Sequence, residues 1–231
     1  MPGGTIMYTE IDGWRSLKND ICLKSAKKQG NGDINNYQNI ELMTAMSYCA
    51  KWRVAVDVGA HVGITAFQMS RSFEHVHAYE INPKIYECMN YNLESRAVGN
   101  VTTYPVGLGS HKQNVSIKTT NKSFSTHVHP KVEGGDIPVM PLDFYNLENV
   151  DFIKIDAEGY EPFVAQGGIE TIKRCLPIIL YECKDHPMRY GHNSETIRHI
   201  LAPLGYRMIR KVGRGEKNAI IGYRPGIAID V

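Results

Sequence analysis

Val54-Ala55-Val56-Asp57-Val58-Gly59-Ala60-His61-Val62-Gly63 is followed, 17 residues after Gly63, by Glu80 at the end of Val76-His77-Ala78-Tyr79-Glu80. The first run is apolar and β-branched and closes on an acid and two glycines four apart; the second is another short apolar strand ending in Glu. A buried strand, a Gly-rich turn, a helix and a second acid-ended strand make one βαβ unit of the kind that holds a nucleoside. Gly59 and Gly63 have no Cβ, so the backbone can turn sharply and lie against a ligand. Glu80 is an acceptor-only carboxylate, suited to a ribose diol.

The glycine spacing selects among nucleosides. Dinucleotide-binding turns read G-x-G-x-x-G and pack a pyrophosphate on a helix N-terminus. Here the turn is G-x-x-x-G, and His61 fills the middle glycine position, where a pyrophosphate would meet its side chain. S-adenosylmethionine (SAM) carries no phosphate, and its amino-acid end can lie along such a turn. The spacing therefore disfavours an NAD-dependent oxidoreductase.

On either side of this unit, strands and helices alternate. Strands are expected at 54–58, 76–80, 101–105, 152–156, 177–181, 206–210 and 219–223. Helices are expected at 62–71, at 83–94 opening on Pro83, from Pro162 to Arg174 with a break at Gly167-Gly168, and at 194–201. This rhythm predicts an α/β fold with a mostly parallel sheet covered on both faces. Residues 53–231 form the main domain. Residues 1–52 are expected to be an irregular arm, with a short helix near 14–28, and a leading helix at 37–50 whose apolar face is Ile40, Met43, Met46 and Cys49. Residues 110–141 break the rhythm between strands three and four. Within this β insertion, 115–119 alternates like an exposed strand and can pair with 123–129 and 137–140, near the sheet edge where open α/β folds bind ligands.

A second constellation ends strand four: Phe152-Ile153-Lys154-Ile155-Asp156-Ala157-Glu158-Gly159-Tyr160-Glu161. Lys154 points to the face opposite Ile153 and Ile155, and inside a buried strand it needs a partner. Asp156 falls on the same sheet edge as Gly59 and Glu80, and is the first candidate to face a substrate as base or anchor. Glu158 and Glu182, each expected at a strand end on that edge, come next, with Lys154 holding the carboxylates ionised. His127, His129 and His186 are candidate bases near neutral pH, and His127-x-His129 could also be half a metal site. No metal is assigned.

These pieces, in order, resemble the FkbM family of SAM-dependent methyltransferases. Asp57-Val58-Gly59-Ala60-His61-Val62-Gly63 is similar to the family's first motif, which often has Asn where His61 stands, and Ala78-Tyr79-Glu80-Ile81-Asn82-Pro83 to its ribose-binding strand end. Tyr91-Asn92-Leu93, Asn100-Val101-Thr102 and Val106-Gly107-Leu108-Gly109 resemble its third segment. Pro141-Leu142-Asp143, the block 153–161, Gly167-Gly168 and the run 177–182 resemble its C-terminal signature. The resemblance covers about 54–183. It implies a Rossmann-like class I methyltransferase fold of seven strands, the last antiparallel, and SAM-dependent O-methyl transfer to a sugar or other small-molecule hydroxyl. The cofactor set is then Asp57, Gly59, His61, Gly63, Glu80, Asn82, Gly107 and Asp156; the catalytic set is Asp156, Glu158, Glu182 and Lys154.

Composition narrows the partners. A chain of 231 residues can bury roughly 70% of its unfolded surface without staples. A net charge of +2, with the densest basic group only Lys24, Lys27 and Lys28, argues against nucleic acid and a membrane surface. Five cysteines without C-x-x-C spacing give neither a disulfide framework nor a zinc signature. With no long apolar run and no basic-apolar leader, a cytoplasmic setting is expected. Two rival readings remain. One is a ribose 2′-O-methyltransferase on RNA, in which Asp156 and Lys184 are two of a Lys-Asp-Lys-Glu set whose other members the sequence does not locate. The other is a non-catalytic SAM-binding module.

Overall fold

Val54–Val58 (β3) is an interior strand, and every residue after Val54 is buried, as expected of a strand covered on both faces. In the computed structural model, which describes residues 7–119, 126–129 and 135–224, it is flanked by His75–Tyr79 (β4) and Val150–Ile155 (β11). The other strands of this sheet are Val101–Tyr104 (β5), Ile178–Glu182 (β12), Tyr206–Val212 (β13) and Asn218–Tyr223 (β14). The order is β13-β14-β12-β11-β3-β4-β5. β14 runs antiparallel to both neighbours, and the pairings among β12, β11, β3, β4 and β5 are parallel. The expected seven-stranded, mostly parallel sheet with an antiparallel last strand is thus the one observed.

Side-chain alternation splits the core into two layers. Val56, Val58, Ile153 and Ile155 face Glu161–Gly167 (α5), Ile169–Cys175 (α6) and Thr196–Leu201 (α7) through Val164, Ile172 and Ile197. Ala55, Val76 and Phe152 face Asn39–Met46 (α2), Ile64–Ser70 (α3) and Pro83–Glu94 (α4) through Leu42, Met69 and Met89. The expected break at Gly167-Gly168 separates α5 from α6.

The N-terminal region corrects the expectation of an irregular arm. Tyr8–Ile11 (β1) and Trp14–Leu17 (β2) form an antiparallel hairpin, followed by Cys22–Gln29 (α1). Residues 14–17, expected within a helix, are extended because Trp14 and Leu17 pack inward with Leu23, Ile34, Val62, Ile64 and Ile85. The Asn92 side chain accepts from Arg15 N (2.7 Å) and donates to Arg15 O (2.9 Å) and Val62 O (2.9 Å), bolting the hairpin to α4 and to the glycine turn. The expected face of α2 is also revised. Ile40 and Met43 point to solvent, and Leu42, Ala45 and Met46 carry the burial.

The insertion pairs largely as expected. Gln113–Val115 (β7) lies antiparallel to Ile137–Met140 (β10), which runs parallel to Gly107–Leu108 (β6), and Ile117–Thr119 (β8) pairs with Thr126–Val128 (β9). Residues 123–125 of the expected strand lie outside the described residues. Among the described residues, no helix is long and apolar enough to cross a membrane.

Candidate active site

Gly59 lies where β3, β4 and β11 end side by side. Its φ is +75°, and a Cβ built on it would stand 1.9 Å from the backbone oxygen of Asp156. Gly59 N and Ala60 N both donate to Tyr79 O at 3.0 Å, and Asp156 N donates to Val58 O at 3.0 Å. Close approach at this glycine therefore draws three strand ends together and puts Glu80 and Asp156 on one rim.

Glu80 is held at both oxygens. Oε2 accepts from His61 N (2.9 Å) and Oε1 from Asn82 N (2.8 Å), so the carboxylate is oriented while each oxygen keeps a further lone pair. Burial raises the Glu80 pKa above the usual carboxylate value, with His61 opposing. His61 itself adopts φ +52°, which aims its amide at Glu80 rather than along a helix.

Beneath the rim, Asp57 has no solvent exposure. It accepts from Thr65 Oγ1 (2.6 Å) and from Lys154 Nζ (3.2 Å), whose strand register places Lys154 directly across from it. Burial alone would lower the Lys154 pKa, but Asp57 and then Asp156 hold it above the ordinary ammonium value. The second contact is Lys154 Nζ to Asp156 Oδ2, 3.9 Å. Burial first and Glu182 second push Asp156 up to about 7, against the pull of Lys154.

A cavity of about 500 Å³ opens above these groups. Its wall includes Gly59, His61, Glu80, Gly107, Lys154, Asp156 and Glu158. Four residues of the expected cofactor and catalytic sets do not line it, and each has another task. Asp57 is sealed beneath, paired with Lys154. Gly63 starts α3 at φ +90°, where a Cβ would press Met89 Cγ at 3.0 Å, so it serves helix packing. Asn82 caps α4 by accepting from Lys84 N (3.1 Å), and its Nδ2 donates to Thr126 Oγ1 (3.0 Å) in the insertion. Glu182 lies behind Asp156, lining a smaller adjoining cavity. Glu161 opens α5. Its Oε1 accepts from Ala157 N (3.0 Å) and Gly159 N (3.1 Å), fixing the loop after β11. His127 and His186 line the cavity.

The sequence missed one wall. Ile21 and Cys22, expected in the short helix of the N-terminal arm, and Tyr37 and Gln38, expected to open the leading helix, close the cavity from the N-terminal side, and Arg189 closes it from the turn after β12. The buried Trp14, Leu23 and Ile34, apolar residues in an otherwise polar stretch, were the available signal.

The cavity volume falls within the roughly 300–1,000 Å³ usual for small-molecule and cofactor sites. An oriented carboxylate beside apolar Ile81 and Leu108 fits a nucleoside, and the close-packed glycine turn leaves space for an amino-acid tail. The residues present thus fit SAM.

Comparison with known proteins agrees with this reading. Residues 57–208 match the methyltransferase FkbM domain. Among solved structures, an FkbM methyltransferase from Methylobacillus flagellatus is similar at a TM-score of 0.55 and 15% identity. The match covers 88% of this chain, which spans 58% of the length of that one. A SAM-dependent methyltransferase from Aquifex aeolicus is similar at 0.50 and 14% identity, with 86% and 96% of the two chains covered. A Streptococcus mutans protein solved with S-adenosylhomocysteine (SAH) gives 0.50 and 10%, covering 80% and 96%. At these identities the likeness bears on the fold alone. No curated protein matches the chain in sequence.

Proposed function

This chain belongs to the methyltransferase FkbM family, and we propose that it is an O-methyltransferase acting on a hydroxyl of a small molecule, with a sugar or glycan as the acceptor class. SAM, when bound, supplies an activated methyl group on a sulfonium. The protein then has to align the acceptor, which can contribute roughly 7–11 kcal/mol to lowering the barrier, and to provide a destination for the hydroxyl proton. Glu80 would accept the ribose hydroxyls, and Ile81 and Leu108 would flank the base. Asp156 receives the acceptor's proton, and Lys154, itself anchored by Asp57, fixes where that carboxylate stands. The polar groups His127, Glu158, His186 and Arg189 around the same cavity suit a polyhydroxyl acceptor.

One observation carries this reading: Asp156 and Glu80 line one cavity from strand ends that flank the same glycine. The test is Asp156→Asn assayed with SAM and a panel of sugar acceptors. Turnover should fall by ~10²–10⁴-fold, with SAH affinity changed only a few-fold. Full turnover in this variant sinks the assignment.

A second reading, methylation of a ribose 2′-hydroxyl in RNA, gains support from one feature. Lys154 lies near Asp156, and Lys184 near Glu182, at the same end of the sheet, an arrangement compatible with a Lys-Asp-Lys-Glu set. Salt-dependent RNA binding by filter assay separates the two readings, since phosphate contacts give a steep loss of affinity with salt.

A further inference from the structure

We propose that Glu158, Glu182 and His186 form a divalent-cation site in the acceptor-side wall of the cavity, suited to an ion that accepts mixed carboxylate and imidazole donors, Mn²⁺ foremost. The three residues come from separate segments. Glu182 ends β12, Glu158 lies in the loop after β11, and His186 lies in the turn beyond Glu182. β11 and β12 are adjacent and parallel, so their carboxyl ends deliver these segments to one place. Gly159 locks the arrangement. It sits at φ +104°, and a Cβ there would stand 2.6 Å from the backbone oxygen of His186, so the two loops touch backbone to backbone.

The donor geometry is that of a ligand face. His186 Nδ1 is 3.1 Å from Glu158 Oε2 and 3.2 Å from Glu182 Oε2. Ligands about 2.1 Å from a metal and at right angles stand about 3.0 Å apart. Glu182 Oε2 and His186 Nδ1 are buried atoms that make no well-aligned hydrogen bond, although they face each other as an ion pair. Glu182 is 9% exposed. Buried polar atoms without an aligned hydrogen bond are rare and call for a ligand or a task. Lys184 engages the other oxygen of Glu182, Oε1, and leaves Oε2 turned toward the cluster.

Asp156, Glu158, Glu161 and Glu182 gather here beside the side-chain cations of Lys154, Lys184 and Arg189. Two carboxylates and one imidazole suit Mn²⁺ or a similar borderline cation better than the softer ions that seek thiolates. Glu158 and His186 line the cavity, so the open coordination positions would face the acceptor, where a cation would hold its hydroxyl oxygen.

The test needs neither cofactor nor acceptor, so its outcome stands apart from that of the methyl-transfer reading. The chelator-stripped full chain is titrated with manganese chloride while the spectrum of free Mn²⁺ is followed by electron paramagnetic resonance. One equivalent should be taken up. Losing even a group that only orients a ligand typically costs 10–100-fold in metal affinity, so Glu182→Gln and His186→Ala should each weaken uptake by at least about that factor. Glu158→Gln alters a partly exposed loop side chain and should weaken it similarly without disturbing the fold, which circular dichroism checks. Absence of saturable uptake, or uptake indifferent to all three substitutions, overturns the proposal and leaves the trio as an ion-paired loop clasp.

Discussion

Replacing Gly59 by Ala should damage both the fold and the site. The residue sits at φ +75°, where an L-residue is strained by roughly 1–2 kcal/mol. The new methyl would start 1.9 Å from the Asp156 oxygen and 2.9 Å from its carbonyl carbon. Both are backbone atoms, so no side chain can rotate away, and the end of β11 must retreat by more than an ångström. Such overpacking typically costs about 1–3 kcal/mol. Together the effects should destabilise the protein by about 2–5 kcal/mol. The same retreat moves Asp156 away from Glu80, and a displacement of about 1 Å can cost on the order of 10²-fold in activity. Urea unfolding and SAH calorimetry on the purified variant measure the two effects. Gly107→Ala is the control. Its Cβ would meet Ile81 Cδ1 at 2.6 Å, the far end of a flexible side chain, and its φ is not in the left-handed region, so a smaller loss is expected. A Gly59→Ala protein within 1 kcal/mol of the parent that binds SAH normally would refute the view that strand closure at this glycine builds the pocket.

Three further outcomes follow from the same contacts. Lys154→Met leaves Asp57 buried with only Thr65 as a side-chain partner and should cost about 3–5 kcal/mol in urea unfolding, as is usual for breaking a buried pair; adding Asp57→Asn should recover much of that loss, and strict additivity would disprove the pairing. Glu80→Ala should weaken SAH binding by roughly 10–100-fold in calorimetry, the equivalent of about 1.5–3 kcal/mol for hydrogen bonds to a charged group, without unfolding the chain. Against the upward pull of burial, Arg53 holds the Asp151 carboxyl below its ordinary value through its backbone N (2.8 Å), Nε (3.0 Å) and Nη2 (2.6 Å). That contribution is complete above the unfolded pKa of about 3.9 and is lost as pH falls through the lower folded value, so Asp151→Asn should flatten the acid side of the stability profile; an unchanged acid limb would count against it.

How far the sequence could be read depended on where each contact's partner lies along the chain. The glycine turn and Glu80 were legible because strand, turn, helix and strand are consecutive, and their chemistry is complete within about one βαβ unit. Lys154 was legible only as a residue in need of a partner. Its partner Asp57 is 97 residues away and is chosen by strand register, which no local pattern encodes. Asp57, Gly63 and Asn82 were read as cofactor contacts because a short polar residue or a glycine at a strand end looks the same whether it meets a ligand, a helix end or a buried ammonium. The structure separates these uses: Asn82 Oδ1 faces a helix N–H, Gly63 faces Met89, and Asp57 faces Lys154. On α2, apolar spacing favoured the face through Ile40 and Met43, but the left-handed Gln38 at φ +50° starts the helix in a rotation that buries Leu42, Ala45 and Met46 instead.

The two halves of the cavity differ in how they are built. The half around Glu80 is made by three parallel strand ends and two backbone amides that hold one carboxylate, so its shape is fixed by the sheet itself. The rest of the wall is assembled from α1 and the segment after it, the β8–β9 pair carrying His127, the loop bearing Glu158, and the turn bearing His186 and Arg189. Among the described residues these pieces meet through side-chain contacts that include Tyr190 OH to Val128 O (2.7 Å), Asn82 Nδ2 to Thr126 Oγ1 (3.0 Å), Arg189 Nη1 to Glu158 O (2.9 Å) and His186 Nδ1 to Glu158 Oε2 (3.1 Å). On the proposed reading, acceptor identity is the property least written into the βαβ pattern, because these contacts join segments far apart in sequence.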